Sequence, residues 1–495
     1  MVDIAETRAA AGSRSTAGAL ASLSLAMLIA SLSTSIANVA LPTLSVAFAA
    51  SFAAVQWVVL AYLLAITALI VSVGRLGDLV GRRPLLIAGL ALFSTASLAA
   101  ALAPSLALLI AARAVQGLGA AVMMALTIAF VGETVPKERT GSAMGLLGTM
   151  SAIGTALGPS LGGVLIAALG WRSIFLVNAG LGAVALLAAW RFLPAAMAAG
   201  EAAGIVRRAM AAGEAAGIVR RAAGVSGKAR GRFDMLGTLL LAATLAAYAL
   251  SMTTGRGHFG GLNIALLGAA VAGAALFVVA EAKVASPLVK LALLRDPVLA
   301  PSLAMNVLVS TVMMATLVVG PFFLSRGLGL GDAATGAVLS IGPVVSALCG
   351  VIAGRVVDRL GAAAMIATGL ALMVAGCLAL AALPGLFGVA GYVAAIILLT
   401  PGYQLFQAAN NTAVMADVDN NERGVVSGML SLSRNLGLVT GTAVMGAVFA
   451  FAVGTGNIAA ATPEAVAGGM RFTFVAAAVL VVVAGGIALA GRRSA

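Results

Sequence analysis

Charge is scarce in this 495-residue chain. Asp, Glu, Lys and Arg make up 9% of it, where an average soluble domain has about a quarter. So few charges cannot cover a water-facing surface, and a mean hydropathy of +1.13 places the chain in a bilayer. Histidine occurs once, at His258 in a short polar loop, so no metal site is built on it. The two cysteines, Cys349 and Cys377, fall inside apolar runs with no CxxC pair and read as small core residues. No G-x-x-x-x-G-K-[ST] phosphate loop is found, which argues against ATP hydrolysis by this chain. With one histidine and no embedded acid–base pair, no catalytic constellation is evident; neither an enzyme nor a cofactor is expected. The formal charge of +13 does not point to nucleic acid, because the basic residues sit in short loops between apolar runs.

What is present is a succession of apolar runs, each near the ~20 residues that a ~30 Å hydrocarbon core demands. Spans are expected near 18–39, 54–73, 84–103, 107–131, 142–167 and 173–192, then near 235–253 and 262–280. Six more follow near 298–323, 334–353, 362–382, 386–410, 424–450 and 471–491. Residues 1–17 read as a polar tail rather than a cleaved signal, because the apolar run after them is long enough to span. An even number of spans leaves both termini on one side. With that side cytoplasmic, about 23 of the 29 Lys and Arg lie inside; Arg172, Arg256, Arg326 and Arg471 lie outside, and Arg113 and Arg434 lie within spans. A polar linker, 194–234, holds a tandem repeat of MAAGEAAGIVRRA at 197–209 and 210–222. It reads either as a basic segment on the anionic leaflet or as a duplication in a tolerant loop.

One motif occurs twice. GRLGDLVGRRP (74–84) aligns with GRVVDRLG (354–361) at an offset of 280, and KERTGSAMG (137–145) resembles NERGVVSGM (421–429) at an offset of 284. Two matches at nearly one offset imply homologous halves, an arrangement of secondary transporters with the substrate between them. The expected divisions are a tail at 1–17, a six-helix bundle at 18–193, the linker at 194–234, two inserted helices at 235–297 and a second six-helix bundle at 298–495.

GRLGDLVGRRP resembles the loop signature of the major facilitator superfamily. NVALP (38–42), RAVQGLGAA (113–121), GTALGPSLGG (154–163), WRSIFLVN (171–178) and RFDMLG (232–237) resemble segments of its fourteen-helix drug:proton antiporter branch. The resemblance implies an all-α polytopic fold of two pseudo-symmetric six-helix bundles plus two central helices. It also implies a monomeric efflux carrier in the bacterial inner membrane, exchanging a small-molecule substrate for protons.

It further implies roles for particular residues. Gly74, Asp78, Gly81 and Arg82 would form a latch on the cytoplasmic side, with Asp358 its counterpart in the second half; Ala362 and Ala363 replace the basic pair there. Gly158, Pro159 and Gly162 give helix five a face that packs closely and bends. Arg113 lies about 10 Å inside its helix, where an arginine is costly and reads as functional or as a buried structural group; Arg434 carries the same ambiguity and is placed with the gating residues. Gln404, Gln407, Asn410 and Asn411 share one helical face. With Asn38, Trp57, Tyr62, Arg113, Gln116 and Asn306 they would line a cavity, or else bond helix to helix.

Members of that branch commonly carry an aspartate where this chain has Ser33. Every acid in the chain falls in a tail, loop or helix end by the spans above. Neutral or anionic substrates are therefore expected over cations, and Asp78, Glu133 or Arg113 remain for proton coupling. A facilitator of a metabolite or lipid is the competing reading; a sensor without transport activity is a third.

Overall fold

The computed structural model describes residues 2–134, 140–193, 234–254, 260–283, 295–416, 418, 423–455 and 458–494. His258, the linker repeat and the charged residues Lys137, Glu138, Arg139 and Glu422 lie outside the described residues. All regular structure among the described residues is helical. The first six elements are α1 (Val2–Ala47), α2 (Phe52–Val80), α3 (Arg82–Ala101), α4 (Leu106–Thr134), α5 (Thr140–Leu169) and α6 (Arg172–Phe192). Then come α7 (Met235–Thr253), α8 (Gly261–Lys283), α9 (Leu299–Phe322), α10 (Asp332–Leu360) and α11 (Ala362–Met415). Last are α12 (Arg423–Thr440), α13 (Gly446–Val453) and α14 (Pro463–Ser494). A π-helical turn, Phe323–Gly327, extends α9, and a second, Gly441–Met445, joins α12 to α13.

Thirteen of these helical stretches are long and apolar enough to cross a membrane. One of them, α11, runs for 54 residues and breaks at Gly388 (φ 54°, ψ −128°), four residues after Pro384. Its two arms are the spans expected near 362–382 and 386–410, so the chain makes about fourteen crossings. The first helix departs from expectation, since it begins at Val2 and runs through the residues assigned to a tail.

Local chemistry sets the helix ends. Ser51 caps α2, its hydroxyl accepting from the Ala54 N–H, and Asp234 caps α7 through the Gly237 N–H at 2.8 Å. Asp296 accepts from the Val298 and Leu299 N–H groups at the start of α9. Between α2 and α3 a single glycine turns the chain: Gly81 at φ 96°, ψ 134°. Gly361 does the same between α10 and α11 at φ 84°, ψ 145°. These are corresponding positions of the repeated motif. A side chain would be strained at either φ, which explains why both copies keep the glycine.

In lipid, apolar surface gives little drive for helix association, so close packing of small residues must supply it. The glycines of α5 do this. A β-carbon on Gly154 would strike the Leu28 carbonyl, one on Gly158 the Ser35 hydroxyl and one on Gly162 the Ile36 side chain, so α1 and α5 are in near-backbone contact. One buried cluster lies wholly within residues 19–193. A larger one joins the far ends of α1 and α2 to α9–α14. The inserted pair α7 and α8 sits to one side. Trp57 of α2 donates to Thr253 of α7 at 3.1 Å, whereas only 11% of the apolar window of α8 is buried.

Candidate functional site: a cavity closed at one end

Alternate crossing places both termini at one end of the molecule, and at that end α5 begins and α10 finishes. At the opposite end the two helices meet through glycine. A β-carbon on Gly163 would lie 2.6 Å from the Asp332 carbonyl and 2.9 Å from the Gly336 Cα, and one on Gly336 would strike the Pro159 carbonyl. The Thr43 hydroxyl at the end of α1 donates to the half-buried Asp332 carboxylate at 3.2 Å. Phe52 of α2 packs edge-on against Phe322 and Phe449, with centroids 4.7 and 5.6 Å apart. These contacts bar passage at that end.

Behind them lies a cavity of about 410 Å³, within the range of pockets that hold a small organic molecule. α5 supplies Gly148, Ser151, Ala152 and Thr155, and α9 supplies Met313, Thr316 and Leu317. Val338, Leu339, Gly342, Pro343 and Ser346 come from α10, and Arg434 and Leu438 from α12. The second arm of α11 contributes Tyr392, Ile396, Thr400, Tyr403, Gln404, Gln407 and Asn411. The lining runs from Tyr392, near the closed end, to the exposed Asn411, near the end that carries the termini. The cavity therefore opens toward the termini. Among the described residues that line it, one side chain is charged, Arg434, and none is a carboxylate.

Of the residues expected along a cavity, Gln404, Gln407 and Asn411 line this one. Gln404 also donates to the Ser346 carbonyl at 2.9 Å, bridging α11 and α10. Asn410 turns away, is buried, and donates to the Ser302 carbonyl at 3.5 Å. Asn306 is buried against α12, donating to the Leu430 carbonyl and the Ser433 hydroxyl at 3.0 and 2.8 Å. Asn38 bonds within its own helix, to the Thr34 carbonyl. Trp57 faces α7, as described above.

Arg113, Tyr62 and Gln116 form a separate, sealed network. Arg113 is fully buried. Its Nε donates to the Val58 carbonyl at 2.9 Å, and Nη1 donates to the Ser33 hydroxyl at 3.0 Å and to Gln116 Oε1 at 2.5 Å. Nη2 donates to the Ser33 carbonyl at 3.3 Å. The guanidinium lies 4.1 Å from the centroid of Tyr62, whose hydroxyl donates to the Ala30 carbonyl. Gln116 passes the chain on to Ser97 at 2.6 Å. Neutral oxygens and a ring face thus hold the cation. Ser33, the position where an acid was missed, is one of its acceptors.

In the loop motif, Gly81 makes the turn, Gly74 is exposed, and Arg82 Nη1 reaches the Ala129 carbonyl at 3.5 Å. Gly77, which the sequence reading passed over, is the closely packed glycine there: a β-carbon on it would lie 2.8 Å from Leu126. The side chains of Asp78 and Glu133 lie outside the described residues. Asp358 is exposed at the end of α10. Gly158 and Gly162 face α1, and Pro159 presents its carbonyl to Gly336. The sequence reading missed Tyr403, Thr400 and Ser346 as lining residues. Tyr403 stands four residues before Gln407, whose amide nitrogen donates to the Tyr403 hydroxyl at 3.2 Å, so the same helical stripe signalled it.

The sequence comparisons agree with this geometry. The family model described as Major Facilitator Superfamily matches residues 23–442. The chain is 30% identical over 432 residues to the uncharacterised transporter YebQ of Escherichia coli, covering 86% of this chain and 88% of that one. It is 31% identical over 422 residues to the multidrug resistance protein Stp of Mycobacterium tuberculosis (84% and 72% covered). It is 26% identical over 426 residues to the riboflavin transporter RibZ of Clostridioides difficile (86% and 86%). Among solved structures, a bacterial homologue of the human lysosomal transporter Spinster, inward-facing and unoccupied, superposes with a TM-score of 0.65 at 15% identity over 97% of each chain. By family match, by relatives and by fold, the chain belongs to the Major Facilitator Superfamily.

Proposed function

We propose that the chain is a secondary active transporter of the fourteen-helix drug:proton antiporter branch, exporting small neutral or anionic compounds by alternating access. The observation that carries this reading is the cavity: closed by Gly163 on Gly336 at one end, open toward the termini, and free of carboxylates among the described lining residues. A cation entering it would lose hydration with no counter-charge in return, while an anion would meet Arg434. In this reading residues 18–193 and 298–495 are two six-helix bundles that rock about the substrate, and 235–297 is an insertion beside them. Both termini are cytoplasmic, so the cavity faces the cytoplasm, and the protein works as a monomer in the inner membrane. The likeness to Stp by name supports export of drug-like compounds; the likeness to RibZ by name supports a heteroaromatic metabolite.

Proton coupling requires a group that titrates as access alternates. Asp78 and Glu133, near the open end of α2 and α4, are the acids assigned to it. The test is proton movement by purified protein in liposomes while cationic, neutral and anionic compounds are supplied. Antiport predicts substrate-driven proton flux, abolished by Asp78→Asn or Glu133→Gln. Substrate movement without proton flux would instead favour a facilitator, a reading that the lack of acids among the described lining residues also supports.

A further inference from the structure

We propose that Arg434 and Gln407 together recognise small aromatic acids that also carry a hydroxyl or N–H group. The inference rests on the reading of the cavity as the substrate site. Arg434 is exposed into the cavity and makes no hydrogen bond or ion pair among the described residues. That is unlike Arg113, whose donors are spent on Val58, Ser33 and Gln116. A guanidinium kept free within a membrane span is costly unless it meets an anion. Its planar fork suits a carboxylate, which it can grip with two parallel hydrogen bonds.

Gln407 supplies the second half of the pattern. Its amide nitrogen donates to the Tyr403 hydroxyl at 3.2 Å. Its Oε1 is buried and has no partner. That oxygen accepts only and is shielded in this conformation; a turn of the Gln407 side chain, which lines the cavity, would bring it to a donor there. Tyr403, with its oxygen engaged by Gln407, keeps its own O–H proton to give to an acceptor. Counting along their helices at 1.5 Å per residue, Arg434 lies roughly 16 Å and Gln407 roughly 12 Å from the open side, a comparable depth. The Tyr403 ring gives a flat wall beside Gln407, and Met313 and Pro343 give apolar walls deeper in the cavity. The complementary ligand is thus a planar ring system with a carboxylate and, across it, a hydrogen-bond donor.

The experiment measures equilibrium binding to the full chain in nanodiscs. The compounds are two- and three-ring hydroxyaryl carboxylates, their primary amides and their methyl ethers. The carboxylate is expected to bind about tenfold or more tightly than its amide, as a charge-assisted contact provides. R434Q should erase that preference while leaving amide affinity within about twofold, and R434K should keep part of it. Q407L should erase the preference for hydroxyl over methyl ether and leave that for carboxylate over amide. A wild-type protein with no carboxylate preference, or a preference that survives R434Q, would overturn the proposal. The wild-type comparison decides alone should R434Q not fold. Amides that bind without carboxylate preference would sink this inference and spare the substrate cavity. Failure of every compound to bind would count against both.

Discussion

Arg113 is held by four donated hydrogen bonds and the face of Tyr62, with no carboxylate among the partners shown. Truncation leaves Gln116 Oε1 buried without the donor shown for it and takes a second donor from the Val58 and Ser33 carbonyls. Arg113→Ala is therefore expected to cost about 1–3 kcal/mol for the stranded oxygen, and more for the cavity left beside Tyr62. Arg113→Lys should recover little, since an ammonium cannot span Val58, Ser33 and Gln116 at once. Thermal unfolding in detergent checks both, and wild-type stability in Arg113→Ala would contradict a structural role. That an intramembrane arginine must matter was readable from the sequence. Whether it meets a substrate or a carbonyl was not, because that depends on how closely α1, α2 and α4 approach. The polar stripe on α11 shows the same limit. Periodicity grouped Gln404, Gln407, Asn410 and Asn411, but the packing of α11 against α9 turns Asn410 inward and leaves the other three on the cavity.

At the scale of elements, α5 is the helix on which the closed end depends. Its glycines face two partners: Gly154, Gly158 and Gly162 meet α1, and Gly163 meets α10. Gly336→Leu forces a side chain against the Pro159 carbonyl and the Gly163 backbone, an overpacking expected to cost about 1–3 kcal/mol. It should abolish transport and raise labelling of cavity cysteines from the closed side; unchanged transport would show that the contact bars nothing. Gly268→Ala in α8 is the control, because nothing lies within 4 Å of its added carbon. It should be neutral or stabilising by up to about 1 kcal/mol, since alanine is the better helix former. Thr43→Val removes the hydrogen bond between α1 and Asp332 and is expected to shift cavity labelling toward the closed side while leaving unfolding temperature little changed. Labelling identical to wild type would show that bond to be incidental. The spans themselves were legible because lipid demands apolar runs of one length, and the turns at Gly81 and Gly361 because a positive φ favours glycine. The fused α11 was not, because Pro384 and Gly388 bend the chain without ending its helix.

For the whole molecule, the described residues of the two sides of the cavity meet closely at one end. There Phe52 meets Phe322 and Phe449, Thr43 meets Asp332, and Gly163 meets Gly336. Nearby, Gln56 of α2 donates to the Thr442 carbonyl at 2.8 Å, in the π-helical turn that follows α12. Such turns free a carbonyl from the helix ladder and often sit where helices move. The repeated loop motif had announced paired halves, but no single sequence shows which end is shut. The most direct test places one cysteine in the cavity, Ser346→Cys, in a chain with Cys349→Ala and Cys377→Ala. A membrane-impermeant thiol reagent is then applied to inside-out and right-side-out vesicles. Alternating access from a cytoplasm-facing cavity predicts labelling from the cytoplasmic side at rest and labelling from the opposite side once substrate and a proton gradient are supplied. Labelling from the opposite side at rest, or a pattern that no substrate or gradient changes, would contradict it.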